Sequence, residues 1–350
     1  SNSAFGRDAL RNNTTANNNT AVGYQAGYSN TTASGVTAVG HQALYTNTTG
    51  SGLVALGKNA LYANTTGANN VALGQNSLDA NTTGGSNVAV GHDALTSNTT
   101  GTELTALGIS ALRSNTTASY NTAIGSGALY SNTTGAKNSA FGRDALVNNT
   151  EGDQNVAAGY NTLDANTTGN QSTAVGASSL TANTTGSSNV AMGFEALKAN
   201  TTASDNTGIG YRALLSNTTG TNNVAVGTNS LISNTTADQN TAFGKAALAT
   251  VSTSNNNTAV GFKALTDNTG VQNTAVGSQA LFTHSTGYNN TAVGMNALYA
   301  NTTANENTAV GYAALAANTT GAGNTAVGGN ASDANTTGAN TAAFGASALS

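Results

Sequence analysis

Side chains that could carry out acid–base or metal chemistry are few and scattered in this 350-residue chain. It has three histidines and no cysteine, and only 7% of its residues are charged. His41 and His92 occupy equivalent places three repeats apart, about 14 Å if repeats stack at strand spacing, which is too far to share a metal ion. His284 replaces a repeated asparagine. The acidic residues are scattered, without the spacing of a catalytic pair or a calcium site; among those that occur singly are Asp8, Asp79, Asp93, Asp144, Asp164, Glu195 and Asp333. The sequence therefore predicts no enzyme activity, no metal site and no cofactor.

The most frequent polar motif is Asn-Thr-Thr, and it supports two interpretations. Stacked identical asparagines can hydrogen-bond to one another as a ladder, which is the structural prediction. Asn-Thr-Thr is also an acceptor sequence for N-glycosylation, which is the alternative. The asparagines concerned are Asn13, Asn30, Asn47, Asn64, Asn81, Asn98, Asn115, Asn132, Asn166, Asn183, Asn200, Asn217, Asn234, Asn301, Asn318 and Asn335.

Tyrosines concentrate at two variable positions of the same repeat. Such a stripe could bind glycans or other surfaces, because tyrosine offers a large contact area with a polar tip. The alternative, which we favour, is that the rings stack on one another. The residues are Tyr24, Tyr28, Tyr45, Tyr62, Tyr130, Tyr211, Tyr299 and Tyr312.

All these residues belong to one repeat, which is read most easily from an anchor glycine. This glycine ends an Ala-apolar-Gly triplet and recurs 21 times from Gly6 to Gly345, always 17 residues apart except for the 16-residue step from Gly261 to Gly277. We number repeat positions from the anchor, so that the consensus Asn-Thr-Ala-Val precedes it at positions −4 to −1 and the asparagine of Asn-Thr-Thr lies at +7. No boundary interrupts residues 1–350, which predicts a single continuous repeat domain.

The repeat predicts an all-β parallel β-solenoid of about 21 coils, one coil per 17 residues. Glycine breaks in every repeat disfavour helices. The Asn-Gly and Asp-Gly dipeptides that mark tight hairpins are absent. The chain also has no proline, each of which would remove a donor from the hydrogen-bond ladder.

Side-chain size predicts which positions face the interior of each coil. Position −1 is almost always a large apolar residue and position +4 is usually leucine, so we assign both to the interior. Positions −2 and +3 are held small, mostly to alanine. Neighbouring strand residues face opposite ways, so the alanines are predicted to form a subunit interface. The alternative is that they face a tight inside corner of their own coil.

Charge and hydropathy exclude two classes of partner. The net charge of −4 gives no basic surface for nucleic acid. No apolar run approaches the roughly 18 residues of a membrane-spanning helix, so membrane insertion is not expected.

The motif Asn19-Thr20-Ala21-Val22-Gly23 resembles the repeat of trimeric autotransporter adhesin heads, and the unit from Asn290 to Gly311 resembles repeat arrays of phage and bacterial tail-fibre proteins. The resemblance implies a left-handed β-roll, homotrimers, and an extracellular, cell-surface or virion location. We therefore expect the shaft or head of a fibre or adhesin, a stiff spacer that displays a repeated surface to partners such as cell-surface glycans. The alternatives are a glycan-decorated filament polymerised end to end and, less favoured, an ice-binding solenoid. Ice binding would need an array of threonines on one face, whereas Thr14 and Thr15 are adjacent and face opposite ways.

Overall fold

The computed structural model describes residues 1–350 and confirms the predicted fold class, a parallel β-solenoid with about 17 residues per turn and no helix. Each turn contributes one three-residue strand. The chain divides into two compact units, Ser1–Ser172 and Thr173–Ser350, called unit 1 and unit 2 below.

Unit 1 contains ten strands: β1 (Ser3–Phe5), β2 (Thr20–Val22), β3 (Thr37–Val39), β4 (Val54–Leu56), β5 (Val71–Leu73), β6 (Val88–Val90), β7 (Thr105–Leu107), β8 (Thr122–Ile124), β9 (Ser139–Phe141) and β10 (Val156–Ala158). Unit 2 contains eleven: β11 (Thr173–Val175), β12 (Val190–Met192), β13 (Thr207–Ile209), β14 (Val224–Val226), β15 (Thr241–Phe243), β16 (Thr258–Val260), β17 (Thr274–Val276), β18 (Thr291–Val293), β19 (Thr308–Val310), β20 (Thr325–Val327) and β21 (Ala342–Phe344).

Successive strands within each unit pair in parallel, with like repeat positions opposite one another. Ala21 lies opposite Ala38 in unit 1, and Ala292 lies opposite Ala309 in unit 2. The anchor glycine is required where each strand ends. Gly91, for example, has φ +136°, and a Cβ there would overlap the carbonyl oxygen of Gly108. This requirement explains why the anchor is glycine in every turn.

The interior of each coil is narrow and is filled by small residues together with one leucine. The +4 leucines are buried, as predicted, except Leu349 in the last turn; Leu95 and Leu281 are 0% exposed. The −2 alanines are buried as well, with Ala89 and Ala275 at 0% exposure. The smallest side chains of the strand, rather than the largest, therefore face inward.

The predicted inward orientation of position −1 is wrong. Leu56 is 48% exposed and Phe243 is 56% exposed, so these apolar side chains lie on the outer face of the sheet. A three-residue strand directs only its central residue to one face, and here the central alanine points inward. The predicted alanine interface is also wrong, because each chain buries that face within its own coils, as the inside-corner alternative proposed.

Candidate functional surfaces

The +7 asparagines form a buried amide column in which most side chains, called rungs below, donate a hydrogen bond to the rung one turn before. Asn81 is 0% exposed, and its Nδ2 donates to Oδ1 of Asn64 at 2.8 Å and to the carbonyl oxygen of Gly84 at 2.9 Å. The same pair of bonds holds Asn98 and Asn132. The side chains thus satisfy carbonyl groups that the tight corner would otherwise leave buried without a donor.

A second amide column, at position −4, was not recognised from the sequence. Nδ2 of Asn70 donates to the carbonyl oxygen of Gly84 at 2.8 Å, so that oxygen accepts from both columns. Oδ1 of Asn70 accepts the backbone N–H of Asn87, one turn further on, at 2.9 Å. The signal was the asparagine that opens the consensus before each strand.

The geometry of the +7 column bears directly on the glycosylation alternative. A glycan would be attached to Nδ2, yet in Asn81 that atom is buried and already donates to two oxygens. The end rungs, Asn13 and Asn335, are partly exposed, and their Nδ2 atoms still donate to Ala16 and Gly338. Attachment of a glycan inside the column would require the asparagine to leave its buried position, because a buried amide without its partners is strongly unfavourable.

Most rings of the tyrosine stripe stack on one another or on neighbouring side chains. Tyr45 lies between Tyr28 and Tyr62, with ring centroids 5.1 and 5.2 Å away and nearly parallel planes. The other stripe tyrosines have these surroundings: Tyr24 stacks on His41, Tyr211 on Phe194 and Tyr299 on Phe282, Tyr130 lies under Arg113, and Tyr312 is 53% exposed. The stacked rings present edges to solvent, which leaves few ring faces free for a sugar.

No group of three or more His, Cys, Asp or Glu side chains could hold a metal ion. The shortest ion pairs are in unit 2, where Glu195 contacts Nζ of Lys198 and Nε of Arg212, both at 2.7 Å. The hydrogen bond from Lys198, followed by that from Arg212, lowers the pKa of Glu195. Burial raises the pKa of Asp79 and of Asp164, which lie singly in separate coils. His41 and His92 are exposed, whereas His284 is fully buried.

The outer face of the sheet is a uniform surface that recurs in every turn of each unit. It consists of positions −3 and −1, and none of the 21 strands places a charged residue at either position. Position −1 exposes residues such as Leu107 (45%) and Met192 (42%), and position −3 is threonine or valine in most strands. An uncharged surface with a row of exposed apolar side chains is typical of an interaction site.

Comparison with known proteins places the chain in no group: neither the protein-family models nor the curated proteins contain a match. No helix is long and apolar enough to cross a membrane.

Proposed function

We propose that this chain is a structural, non-enzymatic segment of an extracellular fibre or adhesin, which spaces other parts of the assembly and displays a repeated surface. Regular winding over 21 strands and the lack of a metal-binding cluster support a mechanical role. The resemblance to adhesin heads and tail-fibre arrays favours a cell-surface or virion location. A repeated surface would also multiply weak contacts with a partner such as a surface glycan.

The observation that carries this proposal is the charge-free outer face of the sheet. We propose that copies of the chain associate side by side through it and assemble as a trimer, as the resemblance implies. Each added strand contributes two outward side chains, so the buried area grows with the number of coils. Burial of apolar surface stabilises by about 25 cal/mol per Å², so individually small contacts add up along the face.

Measuring the mass in solution tests this assembly. We expect the wild type to have a multiple of the 34.3 kDa chain mass, three times for a trimer. The double variant Leu56→Lys/Leu107→Lys should sediment as a single chain, because two charges in the face would be buried without partners. The matched control Thr66→Lys/Thr117→Lys carries the same charges on exposed corner residues and should assemble normally. A monomeric wild type at micromolar concentration would contradict the proposal.

Ice binding is a second candidate function, and we propose it for threonines other than those of the Asn-Thr-Thr motif. The five strands β16 to β20 share the sequence Thr-Ala-Val in register, so threonine and valine alternate on the outer face. This is the one-sided array that Thr14 and Thr15 do not provide, since the hydroxyl of Thr14 donates to the carbonyl oxygen of Thr31. The outer face cannot both bind ice and pack against another copy of the chain. A monomeric wild type with thermal hysteresis would favour ice binding, and a mass that grows with concentration would favour end-to-end polymerisation.

A further inference from the structure

One stretch of unit 2 lacks the regular +7 column over three successive rungs. These rungs are Val251, Asn268 and His284. Val251 carries no amide, and Oδ1 of the preceding rung, Asn234, is buried without a partner. Asn268 lies in the 16-residue turn, where its amide bonds to the backbone of Gly270 in its own turn. The turns around His284 therefore lack the amide bonds that join successive rungs elsewhere.

His284 substitutes for an amide only in part. The side chain is 0% exposed, and Nε2 lies 2.8 Å from the carbonyl oxygen of Gly287, the place where an asparagine would donate. A carbonyl only accepts, so Nε2 carries the hydrogen. Nδ1 is then a bare, buried acceptor, and it has no hydrogen-bond partner.

Nδ1 has no hydrogen-bond partner that would hold a proton on it, and burial lowers the pKa of the ring by more than the backbone carbonyls of Gly287 and Asn301 raise it. The neighbouring Asn273 has its Nδ2 on the same Gly287 oxygen, and its Oδ1 accepts from Asn290. In the next rung, Oδ1 of Asn301 accepts the backbone N–H of Ala304. The charged or titratable side chains of the flanking turns are Lys263, Asp267, Tyr288, Tyr299 and Glu306, all of them at least partly exposed.

We infer that His284 makes this stretch an acid-sensitive opening point, where protonation of the buried ring separates the turns around residues 268–301 and exposes their backbone. The proposal does not depend on the assembly proposed above, since it concerns contacts within one chain. A fibre built from this chain would be stable near neutral pH and would open, and become cleavable by proteases, at one defined place in an acidic compartment.

The direction of the effect follows from linkage. Burial, outweighing the nearby carbonyls of Gly287 and Asn301, lowers the pKa of His284 below its ordinary value of 6.5. The open form then binds a proton more tightly than the closed form. The closed form is fully stable above the ordinary pKa and loses stability as the pH falls below it. Each pH unit in that range raises the opening equilibrium constant by up to about tenfold.

Hydrogen exchange measured by mass spectrometry, near neutral pH and at about pH 5, tests the proposal. After correction for intrinsic exchange, peptides covering residues 268–301 should lose protection at acidic pH, and a protease should cut there first. His284→Asn restores an amide rung and should abolish both effects. The matched control His92→Asn removes an exposed histidine and should leave both unchanged.

Two results would overturn the inference. One is acid-induced opening that persists in His284→Asn, and the other is wild-type protection in residues 268–301 that does not change with pH. A histidine ring titration of the wild type by NMR gives a readout that needs no variant. His284 should titrate below 6.5, and a titration at or above that value would also contradict the proposal.

Discussion

The two units differ in which of their amide columns is continuous. In unit 1 the +7 column runs unbroken from Asn13 to Asn166, whereas its −4 column is interrupted by Val36, Leu53, Leu104 and, at its end, Ser172. In unit 2 the −4 column runs unbroken from Asn189 to Asn324, and the +7 column is interrupted. Each unit thus keeps one long unbroken column. This indicates that a turn needs at least one amide that donates to the carbonyl oxygen at position +10, the position of Gly84.

The interruptions also differ in kind. Three of the four replacements in unit 1 are apolar residues that are as fully buried as the amides; Leu53 is 0% exposed and Leu104 is 1% exposed. Unit 2 contains Val251, which leaves Oδ1 of Asn234 without a partner, and His284, which leaves its own Nδ1 without one. Unpartnered buried polar atoms are the costly case. The comparison therefore predicts that the interrupted stretch of the +7 column, from Val251 to His284, is the weak part of unit 2.

The largest effect is expected from breaking the continuous column of unit 1 with Asn98→Leu. This change removes the hydrogen bonds that Nδ2 of Asn98 donates to Oδ1 of Asn81 and to the carbonyl oxygen of Gly101. It also leaves one N–H of Asn115 without an acceptor. We expect a loss of about 3 kcal/mol in the free energy of unfolding. Denaturant titration measures it, and Thr100→Ala, on the exposed corner of the same turn, should change little.

The comparison becomes sharper with Asn268→Leu in unit 2. Asn268 bonds within its own turn rather than to the rungs on either side, so its loss should destabilise clearly less than Asn98→Leu. Equal losses for the two variants would show that the bonds between rungs contribute nothing, and the distinction between the units would then fail.

A smaller, stabilising effect is expected from Val251→Asn. The new Nδ2 would reach the unpartnered Oδ1 of Asn234 and the carbonyl oxygen of Ser254, repairing one rung of unit 2. A gain of about 1 kcal/mol is expected, with slower hydrogen exchange in the adjoining turns. Val251→Thr has nearly the same shape but no amide, and a gain of equal size there would contradict the explanation.

The smallest effect is expected from Leu104→Asn in unit 1. Burial of the leucine contributes about 2 kcal/mol, and two new hydrogen bonds of about 1 kcal/mol each would offset its loss. The free energy of unfolding should therefore stay within about 1 kcal/mol of the wild type. A much larger loss would mean that the apolar interruptions of the −4 column have a packing role that an amide cannot replace.

The sequence was sufficient to predict the solenoid, its period and the buried leucine at +4, because a strict repeat forces like residues into register. It was not sufficient to predict which way the strand faces. Ala174 and Val175 alternate on a strand of three residues, and either could point inward. The larger size of Val175 favoured placing it in the interior, but the coil is too narrow for this valine once Leu180 is inside. The −4 column was missed because its asparagine also reads as an ordinary turn residue before a strand.

Strand orientation is the claim on which both the amide columns and the proposed interface depend, and cysteine labelling tests it most directly in a chain without native cysteine. Ala292→Cys and Val293→Cys would be compared in the Leu56→Lys/Leu107→Lys background, where assembly cannot protect the outer face. Ala292 is 0% exposed and Val293 is 37% exposed. Val293→Cys should react rapidly with a maleimide, while Ala292→Cys should react only after denaturation. Rapid labelling at residue 292 with protection at residue 293 would contradict the account.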